Sequence, residues 1–393
     1  MKIFKALIIS LMLTVACVHP VQAAFSVDAK SAIAIDAKTG QILYEQNADK
    51  AEGIASMTKL ITVYLTLQAI KDGKLSWNQK VTPSKNIVKV ANTAGFSNVP
   101  LKEGHQYTIK QLYQATLIES ANGAAMTLAQ AVSKTQANFV KKMKLQLKKW
   151  KITDYKIYTT CGLANGDVYE DKVKSASDKA ENELSAKDMA KVGWHVYHDF
   201  PFIVKTTSIS KLDFVDGTDT TKMTTFNWML KGQSQASSKY ETIGLKTGTS
   251  DLAKACFIGL SKVQDQEVIT VVMGASHQDG NDPARFVQTK KLLAYLDENW
   301  HAETLNTKLK FKYADPVNVK VHGQDIVWGQ DSLSLKNTAG KKNSFSKGKV
   351  VGYSVVKNVK TIFDKPLKVN LISDQSAHEV NIFVKAWRFF FGA

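Results

Sequence analysis

IASMTKLITVYLTLQAIK, residues 54–71, carries one Ser-x-x-Lys step and then almost nothing but apolar side chains. Leu60, Ile61, Val63, Tyr64, Leu65, Leu67 and Ile70 surround nearly the whole circumference, the mark of a helix enclosed by a domain. The pattern predicts a helix over 56–71 with Ser56 and Lys59 at its mouth. Residues three apart share a helix face, so the Lys59 amine reaches the Ser56 hydroxyl. Burial lowers a lysine pKa and so does a second cation, for which Lys246 is the candidate. A neutral Lys59 can take the Ser56 proton and leave an activated nucleophile.

Ahead of this helix, Ala32–Ile35 and Ile42–Tyr44 read as two strands around a turn at Lys38-Thr39-Gly40. Behind it, residues 109–132 form a helical region interrupted at Glu119-Ser120-Ala121-Asn122-Gly123. Residues 133–155 are lysine-rich and amphipathic, with Phe139, Val140, Met143, Leu147 and Trp150 on one side, and 184–200 are helical again. Residues 242–245, 255–260 and 268–273 read as neighbouring strands of an antiparallel sheet, closed by a helix over 283–300. From 304 to 376 short strands and turns make a small β-rich domain. Residues 377–393 put Val380, Phe383, Val384, Trp387 and Phe391 on one helical face beside Lys385 and Arg388, which suits a helix lying peripherally in a membrane interface; the alternative is a helix packed on its own domain.

A length of 393 residues favours two domains, and 44% hydrophobic with 22% charged residues is ordinary for a folded chain. A basic start, an apolar run over 6–18 and Val21-Gln22-Ala23 read as a secretory signal over 1–23, so the following domain spans 24–303. A lipid-anchor reading would use Cys17, but Thr14 stands where such signals usually have leucine. Export permits Cys161 and Cys256 to pair, whereas two isolated cysteines also serve as small buried apolar residues. The formal charge is +17, or +15 once Lys2 and Lys5 leave with the signal. With export and no nucleic-acid motif, nucleic acid is set aside as a partner in favour of anionic lipid or anionic wall polymers, or the charge serves solubility alone.

Three short motifs carry chemistry: Ser56-Met57-Thr58-Lys59, Ser120-Ala121-Asn122 and Lys246-Thr247-Gly248. Each recurs by chance, as at Ser208/Lys211, Ser84-Lys85-Asn86 and Lys38-Thr39-Gly40. Only one set places the first at the head of a buried helix, the second at a helix break and the third on a strand. Ser120 would carry protons between Lys246 and a leaving group, and Asn122 would hold a substrate amide and Lys59. The plainer role for both is capping a helix break. Lys246, Thr247 and Thr249 suit a substrate carboxylate, and Gly248 admits a close backbone approach. The N–H groups of Ser56 and Thr249 would form an oxyanion hole. No metal or cofactor is called for. His195 and His198 lie three apart without the glutamate pattern of a metal peptidase and read as packing or surface residues.

Together these motifs resemble the low-molecular-mass penicillin-binding proteins, the serine D-alanyl-D-alanine carboxypeptidases. AIAIDAKTGQILYEQNADK before the first motif, LKEGHQYTIKQLYQATLIESANGAAMTLA around the second, NELSAKDMA and CGLANGD carry the resemblance further. It implies an α/β (α+β) fold: a serine β-lactamase/transpeptidase-like catalytic domain with a five-stranded antiparallel sheet flanked by helices, then a small all-β C-terminal domain and a membrane-anchoring helix. It also implies acyl-enzyme chemistry on the terminal D-Ala of a peptidoglycan pentapeptide, and acylation by β-lactam antibiotics. The chain departs from the family pattern at Ile54-Ala55, where proline is usual, at Gly123 for aspartate and at Thr249 for histidine. Its second and third motifs lie 126 positions apart, which points to an insertion near 200–240. A class A β-lactamase shares the motifs but needs a water-directing glutamate, for which Glu181 is a near miss. A non-catalytic envelope-binding protein would need only the basic charge and the terminal helix.

Overall fold

The computed structural model describes residues 25–276 and 282–392. The expected leader 1–23, with Cys17, lies outside them. β1 (Ser31–Asp36) and β2 (Ile42–Gln46) come first in the chain. β3 (Thr242–Ser250), β4 (Lys254–Val263) and β5 (Gln266–Ala275) follow some two hundred residues later. They form one five-stranded antiparallel sheet, as the family resemblance implies, in the order β2-β1-β5-β4-β3. Strand side chains alternate between faces, and the strands use both. Ile33, Ile35, Ile258, Leu260, Ile269 and Val271 join one core cluster, while Ala32, Ala34, Phe257, Val268 and Val272 join another.

The first cluster is covered by α1 (Lys59–Lys71), α2 (Ile109–Ile118), α3 (Asn122–Ser133), α4 (Gln136–Lys149) and α5 (Ala186–Asp199). The second is covered by α6 (Ala284–Asn299) through Phe286, Leu292, Leu293 and Leu296. Cross-strand register carries a row Ile33–Val271–Ile258–Lys246 over the sheet. Directly opposed residues share a face, so Lys246 projects from the outermost strand toward the helical layer. α1 runs through that layer with ten of its residues buried, which answers its all-round apolar pattern. The break read from the sequence at 119–123 is confined to 119–121, because Asn122 and Gly123 already belong to α3. The lysine-rich segment 133–155 is helical only over α4.

The segment 200–240 holds a hairpin of Lys211–Asp216 and Asp219–Thr224. It leans on the start and end of α2: Phe214 stacks on Tyr107 with centroids 5.7 Å apart, and the Thr224 amide donates to Glu119 Oε2 at 2.8 Å.

A second antiparallel sheet follows at once from α6: β6 (His301–Lys310), β7 (Asn318–Gly329), β8 (Leu335–Ala339), β9 (Val350–Val356) and β10 (Leu367–Ser373), ordered β6-β7-β10-β9-β8. Its own apolar clusters are small. It is tied to the first sheet by Trp328, fully buried in the cluster beneath α6. The Trp328 indole donates to Asp36 Oδ2 at 3.0 Å, its amide donates to Gln41 Oε1 at 3.1 Å, and its carbonyl accepts from Gln41 Nε2 at 2.6 Å. Backbone bonds from Ile42 to Lys360 and from Ile362 to Gly40 close the junction. α7 (Ile382–Phe391) ends the chain, with Phe383, Trp387, Phe390 and Phe391 exposed. Among the described residues no helix is long and apolar enough to cross a membrane.

Truncating a buried tryptophan removes a large packed surface, and here it also takes the indole donor from Asp36 Oδ2, while the main-chain bonds to Gln41 remain. Trp328→Ala is expected to cost about 3–5 kcal/mol, read as a lower melting temperature in circular dichroism.

Candidate active site

The first motif is not helical where the spacing predicts it. Ser56 lies on a 3-10 turn, Ala55–Thr58, and the α-helix starts at Lys59. Ala55 takes a positive φ of 42°, which turns the chain into the helix mouth. The tighter turn serves the chemistry well, because side chains three apart eclipse in a 3-10 geometry. Two glycines allow the turn to sit deep. A Cβ on Gly162 would fall on the Ala55 carbonyl, and one on Gly248 would lie 2.7 Å from the Ile54 carbonyl oxygen. The close approach at Gly248 is therefore made by the protein's own backbone.

Lys59 is fully buried, and its Nζ lies 2.8 Å from Ser56 Oγ, 2.7 Å from Asn122 Oδ1 and 2.6 Å from the Cys161 carbonyl. An amide oxygen and a carbonyl only accept, so they take two N–H bonds. A neutral amine then has one lone pair left, and the remaining neighbour is a hydroxyl with a proton to give. Burial pulls the Lys59 pKa down to about 8, slightly opposed by the Cys161 thiol. The second-cation effect runs the other way from the sequence expectation. It is Lys246 that burial first, then Lys59 and Arg285, hold well below the usual lysine range.

Ser120 sits between α2 and α3 at a φ of 58°, and its Oγ is 2.9 Å from Lys246 Nζ. Lys246 also donates to the Thr247 carbonyl at 3.1 Å. Asn122 opens α3 and is fixed from behind, its Nδ2 donating to the Ser97 carbonyl at 3.0 Å. Gly123 stands where aspartate is usual because the helix Lys85–Ala91 presses there: a Cβ would be 2.5 Å from Ala91 Cβ.

The groups face a cleft of about 350 Å³ lined by Ser56, Ser120, Thr247, Gly248 and Thr249. Asn122 and the two lysines stand behind this lining. β3 forms the free edge of the sheet along the cleft. Arg285, Phe226 and Trp228 are among the wall residues that sequence reasoning missed. Arg285 is 7% exposed and donates to the Gly248 carbonyl at 2.8 Å and the Cys256 carbonyl at 3.2 Å, bracing the motif strand. A lone arginine at the start of an amphipathic helix gives no signal. The two aromatics come from the long segment before β3, where KMTTFNWML offered an aromatic pair without periodicity.

Other sequence candidates lie elsewhere. Glu181 accepts from the Ser250 hydroxyl, and Asn182 binds the backbone of Tyr158 and Thr159. Neither lines the cleft. His195 stacks on Trp150 and His198 on Trp194, in packing roles. Cys161 and Cys256 are buried and unpaired.

A five-stranded sheet with a helical cover, and a lysine bridging a serine and an asparagine, define an active-site-serine protein of the β-lactamase/transpeptidase-like class. Residues 17–277 match the family described as D-alanyl-D-alanine carboxypeptidase, and the chain belongs to that family. The D-alanyl-D-alanine carboxypeptidase DacF of Bacillus subtilis is 26% identical over 346 residues, 84% of this chain and 82% of that one. DacC of Escherichia coli, of the same description, is 31% identical over 275 residues, 69% of this chain and 61% of that one. Among solved structures, a peptidoglycan synthesis regulatory factor (PBP3) from Streptococcus pneumoniae is 29% identical with a TM-score of 0.79, covering 90% of this chain and 100% of that one. Penicillin-binding protein D2 of Listeria monocytogenes, in a cefotaxime-bound form, is 28% identical with a TM-score of 0.56, over 70% of this chain and 98% of that one.

Lys59 acts as a base only when uncharged. Acylation by a fluorescent penicillin is expected to fall about tenfold per pH unit below the Lys59 pKa of about 8 and to level off above it. Asn122→Asp puts a carboxylate beside the amine, favours its charged form and moves that acid limb to higher pH. A limb that stays in place would remove Lys59 as the base.

Proposed function

We propose that this chain is a serine D-Ala-D-Ala carboxypeptidase that removes the terminal D-alanine from peptidoglycan pentapeptides through an acyl-enzyme on Ser56. One observation carries the reading: a buried, pKa-lowered Lys59 whose Nζ lies 2.8 Å from Ser56 Oγ. Family membership supports the substrate class.

Ser56 Oγ attacks the carbonyl of the penultimate D-Ala as Lys59 takes its proton. The oxyanion is met by the Ser56 and Thr249 N–H groups at fixed positions, which act without reorganisation. Ser120, hydrogen-bonded to Lys246, gives its hydroxyl proton to the leaving amine and is refilled by the proton that Lys59 took from Ser56, so D-alanine departs and Lys59 is neutral again. Water then attacks the ester as Lys59 takes its proton, and Lys59 returns that proton to Ser56 Oγ as the ester bond breaks. The terminal carboxylate is read by Lys246 and the hydroxyls of Thr247 and Thr249. Arg285 holds positive charge beneath Gly248 whatever the state of Lys246. The substrate backbone lies along β3 at Gly248 and opposite Asn122, as an added strand would. A β-lactam presents the same acylating carbonyl in place of the peptide bond.

In this reading residues 24–303 form the catalytic unit and 304–376 the spacer module. The leader exports the chain to the outer face of the cytoplasmic membrane. There 377–393 attaches it peripherally, supported by exposed aromatic residues on a short helix with Lys385 and Arg388.

Incubation with a labelled penicillin followed by peptide mass mapping is expected to place the adduct on Ser56. Ser56→Ala is expected to lose both the adduct and D-alanine release from a pentapeptide while keeping its melting temperature. Ser120→Ala is expected to slow release about 10²-fold or more. D-alanine release that survives in Ser56→Ala would overturn the mechanism.

A further inference from the structure

The reaction cleft leaves the lysine-rich segment without a role. Between Ser120 and Asp154 the chain has seven lysines and not one carboxylate. All seven, from Lys134 to Lys151, are free of ion pairs among the described residues. On α4, Phe139, Val140, Met143 and Leu147 are buried, so the lysines share the solvent face. Lys141, Lys144 and Lys148 succeed one another at helical spacing and make a stripe along it.

The stripe ends in a groove of about 520 Å³, walled by the turn after α4, by α5 and by the 361–368 segment of the C-terminal sheet. It shares no lining residue with the reaction cleft. Its floor is aromatic: Trp194 and Phe363 meet edge to face at 4.8 Å, with His195 alongside, and all three are half-buried. Lys149, Lys151, Lys365 and Lys368 stand on the rim. The rim's one aspartate, Asp364, is already paired with Lys187 at 2.8 Å, and Lys191 with Asp188 at 3.0 Å. The rim is thus left with an excess of positive charge.

We propose that this groove, with the lysine face of α4 leading into it, binds a linear acidic glycan, the chemistry of an anionic wall polymer. Sugar rings present apolar C–H faces that pack on aromatic rings, and regularly spaced anions meet regularly spaced lysines. A rod-like chain fits a concave groove. A bilayer is flat and calls for protruding apolar side chains, and from the lysine face only Leu145 protrudes. Such a site holds the enzyme against the wall independently of the cleft.

The test uses the mature full-length chain and isothermal titration with decagalacturonate, which carries one carboxylate per sugar. Neutral dextran and vesicles of phosphatidylglycerol in phosphatidylcholine form the other arms. The acidic glycan is expected to bind and dextran not to. Two sets of substitutions act on exposed side chains: Lys149→Gln with Lys151→Gln and Lys365→Gln in the groove, and Lys141→Gln with Lys142→Gln and Lys148→Gln on the helix. Each set is expected to weaken binding about tenfold and to flatten its salt dependence, and Trp194→Ala to weaken it with the salt dependence kept. Acylation by labelled penicillin should stay at the wild-type rate in both lysine sets, which certifies the fold and separates this result from any failure at the cleft. Vesicle binding without glycan binding would overturn the proposal in favour of a lipid surface. Glycan binding that ignores the groove set would reduce it to nonspecific attraction. If Trp194→Ala does not fold, the lysine sets decide.

Discussion

A lysine amine enclosed by protein, with two acceptors and one hydroxyl around it, is the constraint on which the rest rests. Left alone in such a place, a charged Lys59 would be costly to keep. Two oxygens that can only accept, from Asn122 and Cys161, hold its hydrogens and aim what remains at Ser56. Two of the three contacts come from remote parts of the chain, so the protonation state of one amine depends on the whole helical layer being in place. α1 supplies the burial, the break before α3 supplies the amide, and the loop at Cys161 supplies the carbonyl.

The sheet contributes position rather than chemistry. Its register carries a row of side chains from Ile33 across to Lys246, which fixes the far wall of the cleft against the same core that holds α1. Gly162 and Gly248 remove the atoms that would keep the nucleophile turn from settling. Arg285 ties the last strand from its other side. Lys59 and Lys246 lie near enough for each charge to matter to the other, so a single mobile proton is easier to accommodate there than two.

Much of this was legible in the chain. The all-round apolar character of 60–70 forecast a core helix, the apolar segments in 242–273 forecast the strands, and the order of the three motifs forecast which copies the fold brings together. What escaped has physical causes. A 3-10 turn and an α-helix begin with the same residue spacing, so the backbone at Ala55 was invisible. The Cys161 carbonyl is a main-chain group that any residue could provide. Arg285, Phe226 and Trp228 belong to no periodic pattern, and the bonds of Arg285 to carbonyls 37 and 29 positions away leave no local trace. The effect between the two lysines was anticipated, but its direction was not, because relative burial is a property of the folded layer. Trp328 falls in the stretch read only as short strands and turns, yet its side chain belongs to the core of the other sheet.

That junction has a consequence for how the protein comes into being. The outer edge of β2 is completed by residues near 360, and the pocket under α6 by Trp328. These arrive roughly three hundred positions after the strand they finish. A chain made N-terminus first therefore holds an incomplete edge until residues near 360 have been added. Completion of the first sheet waits on the β-rich module.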